Sequence, residues 1–113
     1  MNEEAIDLKD VLERVQDDRD LLMELLQIYT EDFVEKKKLL DEAVTKSDYD
    51  QIKNFSHALK GASGNISAKK LHTSFLTLEQ MAKNKDLSQS PKLLSEINQQ
   101  FSELKDYIVK LKK

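Results

Sequence analysis

The sequence predicts an all-α protein: an antiparallel four-helix bundle with a short additional N-terminal helix. Three observations carry this. The 113 residues include one proline and two glycines, too little turn material for hairpins or a many-looped β fold. Apolar residues recur at helical spacing through four long segments. The last segment places Leu94, Ile97, Phe101, Leu104, Ile108 and Leu111 at spacings of 3-4-3-4-3, the seam of a bundle. A chain this short has room for one domain (1–113) with a single modest core, expected over about 7–111.

The first helix is predicted over Asp7 to Val15, with Asp7 as N-cap and Leu8, Val11, Leu12 and Val15 at helical spacing. Gln16-Asp17-Asp18 breaks it. A long second helix follows from about Arg19 to Thr45, capped by Asp17 or Asp18. Its core stripe reads Leu22, Leu25, Tyr29, Phe33, Leu40 and Val44. The opening run Leu21 to Leu26 is apolar over more than one face. Either the first helix covers the excess, or Leu22, Met23 and Leu26 form a docking patch; the two can coexist.

Asp48-x-x-Gln51 is a capping-box pattern that opens the third helix, which ends near Asn65 or Ile66. Ser67 then reads as the N-cap of a fourth helix bearing Leu71, Phe75, Leu78 and Ala82. Asn84 to Ser90 is a polar loop, and Ser90-Pro91 signals the start of the last helix. Lys112-Lys113 is expected to fray.

Composition narrows the function classes. Charged residues are 35% and hydrophobic ones 39%, which fits a soluble folded domain and not a disordered chain. No apolar run approaches a membrane span of about 18 residues, and Met1-Asn2-Glu3-Glu4 opens no signal peptide. Without cysteine there are no disulfides and no thiolate zinc sites. A cytoplasmic location is the default expectation, and the initiating Met1 leans toward a free-standing protein over a domain cut from a larger one.

The charge is unevenly spread. Residues 1–50 hold sixteen acids against seven bases, whereas 51–78 hold no Asp or Glu and four lysines: Lys53, Lys60, Lys69 and Lys70. This positive tract suits an anion, either a phosphoryl group or an acidic partner surface; the plainer reading is lysines solvating a helix face.

Within that tract lies the most informative stretch, Asn54 to Ala68. It contains both glycines, Gly61 and Gly64, inside a predicted helix, where each costs about 1 kcal/mol relative to alanine. At about 100° per residue, Gly61 and Gly64 fall within about 40° of His57. Ile52, Phe55, Leu59, Ala62 and Ile66 lie on the opposite side. The helix thus holds an imidazole outward beside a strip without side chains. An exposed imidazole titrates near pH 6.5, so at neutral pH much of it is uncharged and nucleophilic. Lys60, three residues on, can offset the charge of a phosphoryl group on the ring, and the glycines leave room for a partner.

The run His57-Ala58-Leu59-Lys60-Gly61-Ala62-Ser63-Gly64-Asn65-Ile66 resembles the signature of histidine-containing phosphotransfer (HPt) domains. Leu12 to Asp32 and Leu71 with Leu78-Glu79 are similar to flanking parts of that family, so the resemblance covers most of 7–84. It implies that His57 is phosphorylated on Nε2, that Lys60 steadies the phosphoryl group and that Gly61 gives clearance. In a hairpin turning near Ile66-Ser67, His57 lies level with about Leu76. Glu79 is then within a turn, at a position where the family often has Gln or Glu close to the ring. Ser67 stands where the family usually has glycine, implying a changed turn and not a lost function.

The implied partners are response-regulator receiver domains and a hybrid histidine kinase. A receiver's phospho-aspartate would hand its phosphoryl to His57, with Mg²⁺ held by the receiver and no cofactor on this chain, which is expected to be monomeric. Lys53, Asn54 and Gly64 are expected to meet the partner.

Other classes fit less well. A kinase needs a glycine-rich nucleotide lobe, and both glycines are used in one helix. A di-metal bundle needs Glu-x-x-His pairs, but Asn54 and Lys69 stand three residues before His57 and His72, so no metal site is expected. His72 reads as a structural, partly exposed histidine. The acidic first half disfavours nucleic acid. The remaining alternative is a non-catalytic adaptor binding through Leu22, Met23 and Leu26.

Overall fold

A computed structural model describes residues 4–112 of the chain. Met1, Asn2, Glu3 and Lys113 lie outside the described residues, and with them part of the expected tail; Lys112 caps the last helix. Five helices are present: α1 (Leu8–Arg14), α2 (Arg19–Thr45), α3 (Tyr49–Asn65), α4 (Lys69–Lys83) and α5 (Ser90–Leu111). Four long helices joined by short turns form the bundle, with α3 packed most extensively on α4 and on α2.

The helix starts follow from aspartates whose carboxylates take up otherwise unpaired amides. Asp7 Oδ1 accepts from the Asp10 amide at 3.1 Å, Asp18 Oδ1 from Leu21 at 3.0 Å, and Asp48 Oδ1 from Gln51 at 3.2 Å. Asp18, not Asp17, is therefore the cap of α2. At the other ends, α1 to α4 close the same way. The amides of Asp17, Asp48, Ala68 and Asp86 reach back five residues to the carbonyls of Leu12, Ala43, Ser63 and Met81. The preceding residues, Gln16, Ser47, Ser67 and Lys85, have φ between 53° and 58°, the left-handed region that glycine adopts most cheaply. Both glycines of the chain are instead inside α3.

Ser67 departs from its expected role. The N-cap of α4 is Ala68, which has no side-chain cap bond. The Ser67 hydroxyl turns away and donates to Asp10 Oδ2 at 2.5 Å, while its carbonyl accepts the Asp7 amide at 2.9 Å. The α3–α4 turn thus docks the start of α1. Similarly, the cap of the last helix lies one residue earlier than expected. Ser90 is already helical, Gln89 is the N-cap and Pro91 lies in the first turn, where its missing N–H is harmless.

The core centres on Phe33. Its ring stacks on Phe101 of α5 at 3.8 Å between centroids and meets Phe75 of α4 edge-on at 5.8 Å. Leu71, Phe75, Leu78 and Ala82 are all buried on α4, as their spacing predicts. On α2 the stripe shifts. Leu22, Leu26, Tyr29, Phe33, Lys37, Leu40 and Ala43 are buried, whereas Leu25 is exposed and Val44 half-buried. Lys37 lays its aliphatic stem in the core and sends its ammonium to Asp41 at 2.8 Å. On α3 the buried residues are Ile52, Ser56, Leu59 and Ser63, with Phe55 and Ala62 only half-buried. Small serines at this face let neighbouring helices approach closely.

Candidate functional site

His57 sits in the middle of α3, away from the core, with 68% of its side chain exposed. Glu79 reaches it from α4, and this carboxylate is only 6% exposed. Glu79 Oε2 lies 3.0 Å from His57 Nδ1, and Oε1 lies 2.8 Å from Lys60 Nζ. The two helices place these groups together by arithmetic: with an antiparallel turn at 66–68, a residue about 20 positions on from His57 comes back to its level, and Glu79, 22 on, is within a turn of it.

Burial alone pushes the Glu79 carboxyl up. The hydrogen bonds from Lys60 and His57, with their charges, outweigh that effect and hold it below the usual carboxylate range. Glu79 is therefore ionised at neutral pH and can only accept. Its contact with Nδ1 then requires a proton on Nδ1, so that in the neutral ring Nε2 is the lone-pair nitrogen. A neutral ring presenting Nε2 outward is a nucleophile poised for an electrophile arriving from solvent.

Gly61 lies one turn beyond His57 and is exposed, and a Cβ built there meets nothing within 4 Å. Gly64 has an internal reason instead. A Cβ at Gly64 would come within 3.2 Å of His72 Nδ1, so the strip is not uniformly open and Gly64 is a packing residue. His72 Nδ1 lies 3.0 Å from the Lys60 carbonyl, to which it must donate. The half-buried histidine on α4 thereby ties the two helices together beside the site.

The lysine tract is less free than its composition implied. Lys60 is matched by Glu79, and Lys69 pairs with Asp7 at 3.0 Å. Lys53, one turn before His57 and half-buried, has no hydrogen bond or ion pair among the described residues. Asn54 is exposed on the same side of α3. Lys83 stands one turn beyond Glu79 on α4, exposed and likewise without such a partner among the described residues.

The docking patch expected at Leu22, Met23 and Leu26 is corrected. Leu22 and Leu26 are in the core at 2% and 0% exposure, and Met23 packs half-buried against it. The apolar side chains that do face solvent at this end of α2 are Leu21, Leu25 and Ile28. They fall within about 60° of one another on the helix. Tyr29 turns toward α3, where its hydroxyl meets Ser63 Oγ at 2.7 Å, while Phe33 turns toward α5. The Tyr29–Ser63 contact sets this exposed stripe beside the C-terminal end of α3.

Among the described residues, no group of three or more His, Asp and Glu is arranged to hold a metal ion, and no helix is long and apolar enough to cross a membrane.

Comparison with known proteins agrees with this geometry. Residues 24–107 match a family model described as the Hpt domain. The crystal structure of histidine-containing phosphotransfer protein B from Pseudomonas aeruginosa PAO1 is similar, with a TM-score of 0.88 over 96% of this chain and 95% of that one. At 21% identity that likeness is one of fold. No curated protein matches the chain.

Proposed function

Since the chain belongs to the Hpt domain family, with its histidine phosphotransfer role in phosphorelays, we propose that His57 Nε2 is the atom that carries the phosphoryl group. The observation that supports this most is the bond between the buried Glu79 carboxylate and Nδ1, on a ring otherwise open to solvent. In the forward step the Nε2 lone pair attacks the phosphorus of a receiver's phospho-aspartate. The Nε2–P bond forms as the acyl P–O bond breaks, and the aspartate carboxylate leaves with the electron pair. Glu79 balances the positive charge that the ring gains. A second receiver reverses the step.

The partners in this reading are receiver domains and the hybrid kinase feeding them, meeting a monomer in the cytoplasm. Mg²⁺ sits in the receiver's own acidic pocket, and the chain itself needs no cofactor. Leu21, Leu25 and Ile28 supply an apolar docking surface, and Asn54 and Gly61 let the partner come close to the ring. Positioning and charge do most of the work in such a transfer, and the receiver supplies much of both.

The test is incubation with a phosphorylated receiver domain. The wild type is expected to take up label that is alkali-stable and acid-labile, and His57→Gln to take up none. No label on wild type from several receivers, or label persisting in His57→Gln, overturns the reading. A plain helical adaptor would bind receivers without being labelled.

A further inference from the structure

Lys60 takes part in two contacts between α3 and α4, one through its side chain and one through its backbone. Its ammonium donates to Glu79 Oε1 at 2.8 Å, and its carbonyl accepts from His72 Nδ1 at 3.0 Å. Glu79 is also the group that meets His57 Nδ1, at 3.0 Å. His72, which the transfer chemistry does not use, is therefore linked through Lys60 to the bond that fixes the proton on the His57 ring.

The two contacts share one register. Gly64 is seven residues on from His57 along α3, and Glu79 is seven on from His72 along α4. Seven residues make about two turns and bring a side chain back to within about 20° of the same face. His72 and Glu79 thus grip α3 from one face of α4, one at each end of a two-turn span. Hydrogen bonds weaken steeply when stretched or tilted, so a second grip on the same face holds the first in alignment. The fit at His72 is close: a Cβ on Gly64 would stand 3.2 Å from Nδ1, so the ring lies against the α3 backbone. Its proton is not drawn to a carboxylate instead. Residues 51–78 hold no Asp or Glu, while Asp7 and Asp10 at the start of α1 are paired with Lys69 and with Ser67 and Arg14.

We propose that His72 is a positioning residue for transfer: by holding the Lys60 carbonyl it fixes the distance at which Glu79 meets His57 Nδ1, and so keeps the His57 lone pair on Nε2. When Glu79 draws back, the Nδ1 proton loses its acceptor and the neutral ring redistributes that proton between its two nitrogens. A ring with the proton on Nε2 cannot attack through that nitrogen. This deepens the carrier reading above and rests on it.

Phosphoramidate tests the role without a partner protein. Its P–N bond breaks and ammonia leaves with the electron pair as the Nε2–P bond forms. His72→Phe keeps the shape of the ring and removes the donor. His72→Asn places an amide N–H at the position of Nδ1, and Gly64→Ala displaces the ring from the other side. ¹⁵N spectra of His57 at about pH 8, where an ordinary imidazole is neutral, report the tautomer directly. His72→Phe and Gly64→Ala are expected to raise the share of the Nε2–H tautomer. Both should slow labelling about threefold at saturating phosphoramidate, with half-saturation unchanged. His72→Asn is expected to restore tautomer and rate. The proposal is overturned if His72→Phe lowers the melting temperature yet leaves the His57 tautomer and the labelling rate as in wild type; the bond is then a structural tie only. A tautomer shift in His72→Phe that His72→Asn does not reverse overturns it too. If wild-type His57 takes no label from phosphoramidate or any receiver, the carrier reading fails and a role in transfer with it, while the ¹⁵N spectra still show whether His72 sets the ring.

Discussion

His72 occupies the space that a side chain on Gly64 would need: a Cβ there would stand 3.2 Å from His72 Nδ1, the nitrogen that donates to the Lys60 carbonyl at 3.0 Å. Gly61, three residues earlier, faces open space. Two glycines in one helix therefore answer to different demands, and substitution should separate them. Gly61→Ala is expected to stabilise the fold by about 0.5–1 kcal/mol, the propensity difference alone. Gly64→Ala should lose that gain by displacing His72, leaving stability unchanged or lower. Thermal unfolding of both variants checks this, with the His72 ring resonances reporting the lost bond.

Tyr29 and Ser63 form a buried link between α2 and α3 at 2.7 Å. The serine hydroxyl proton is already given to the Leu59 carbonyl at 2.7 Å, so the tyrosine is the donor. Burial pushes the Tyr29 hydroxyl well above the usual phenol range, despite the opposing hydrogen bond. Tyr29→Phe is expected to cost about 1–2 kcal/mol by leaving a serine lone pair unpaired, measured by urea denaturation at neutral pH. An unchanged midpoint would mean that the link is made equally well in the unfolded chain's solvent.

Glu79 predicts a pH dependence. Its folded pKa is below the ordinary value of about 4.3, so its contribution to stability is complete above that value and is lost as pH falls through the lower folded one. Wild type and Glu79→Gln should therefore differ most near neutrality and converge in acid. The comparison is denaturation of both proteins across pH 2–7, with convergence the expected outcome and a constant offset the contrary one.

Recognition should respond to the exposed stripe of α2. Ile28→Asp puts a charge on a side chain that is 61% exposed and touches nothing essential to the core. It is expected to weaken receiver binding about tenfold while leaving the fold and phosphoramidate labelling unchanged. Gly61→Gln should likewise keep the fold, or steady the helix, yet slow transfer from a receiver by filling the clearance beside His57. Titration calorimetry and single-turnover transfer check the pair; normal values in both would dismiss this face as the docking surface.

Much of this was legible in the chain. Asp7 and Asp48 marked helix starts because a short carboxylate after a break has few other uses. Glu79 could be placed beside His57 by counting along a hairpin, since 3.6 residues per turn and a three-residue turn leave little freedom. Periodicity could not choose between Leu25 and Leu26. In a run that is apolar all round, the choice belongs to the partners that pack on it, and those are distant in sequence. It also assigned Val44 to the core over Ala43, and Phe55 over Ser56. Hydropathy favours bulk, whereas a tight interface between helices favours small side chains. Ser67 was read as a cap because its neighbours look like a helix start, and only the docking of α1 gives its hydroxyl another acceptor in Asp10.

The carboxylate that sets the proton on the ring is sealed inside the bundle, and the ring itself stands outside. The positions proposed to meet a receiver, 25, 28, 54 and 61, make no hydrogen bond or ion pair with Glu79. Affinity for one receiver or another can thus drift by surface exchange, generation after generation, without retuning the nucleophile beneath. A single reactive unit of this kind can be rewired to new signalling partners at little chemical risk.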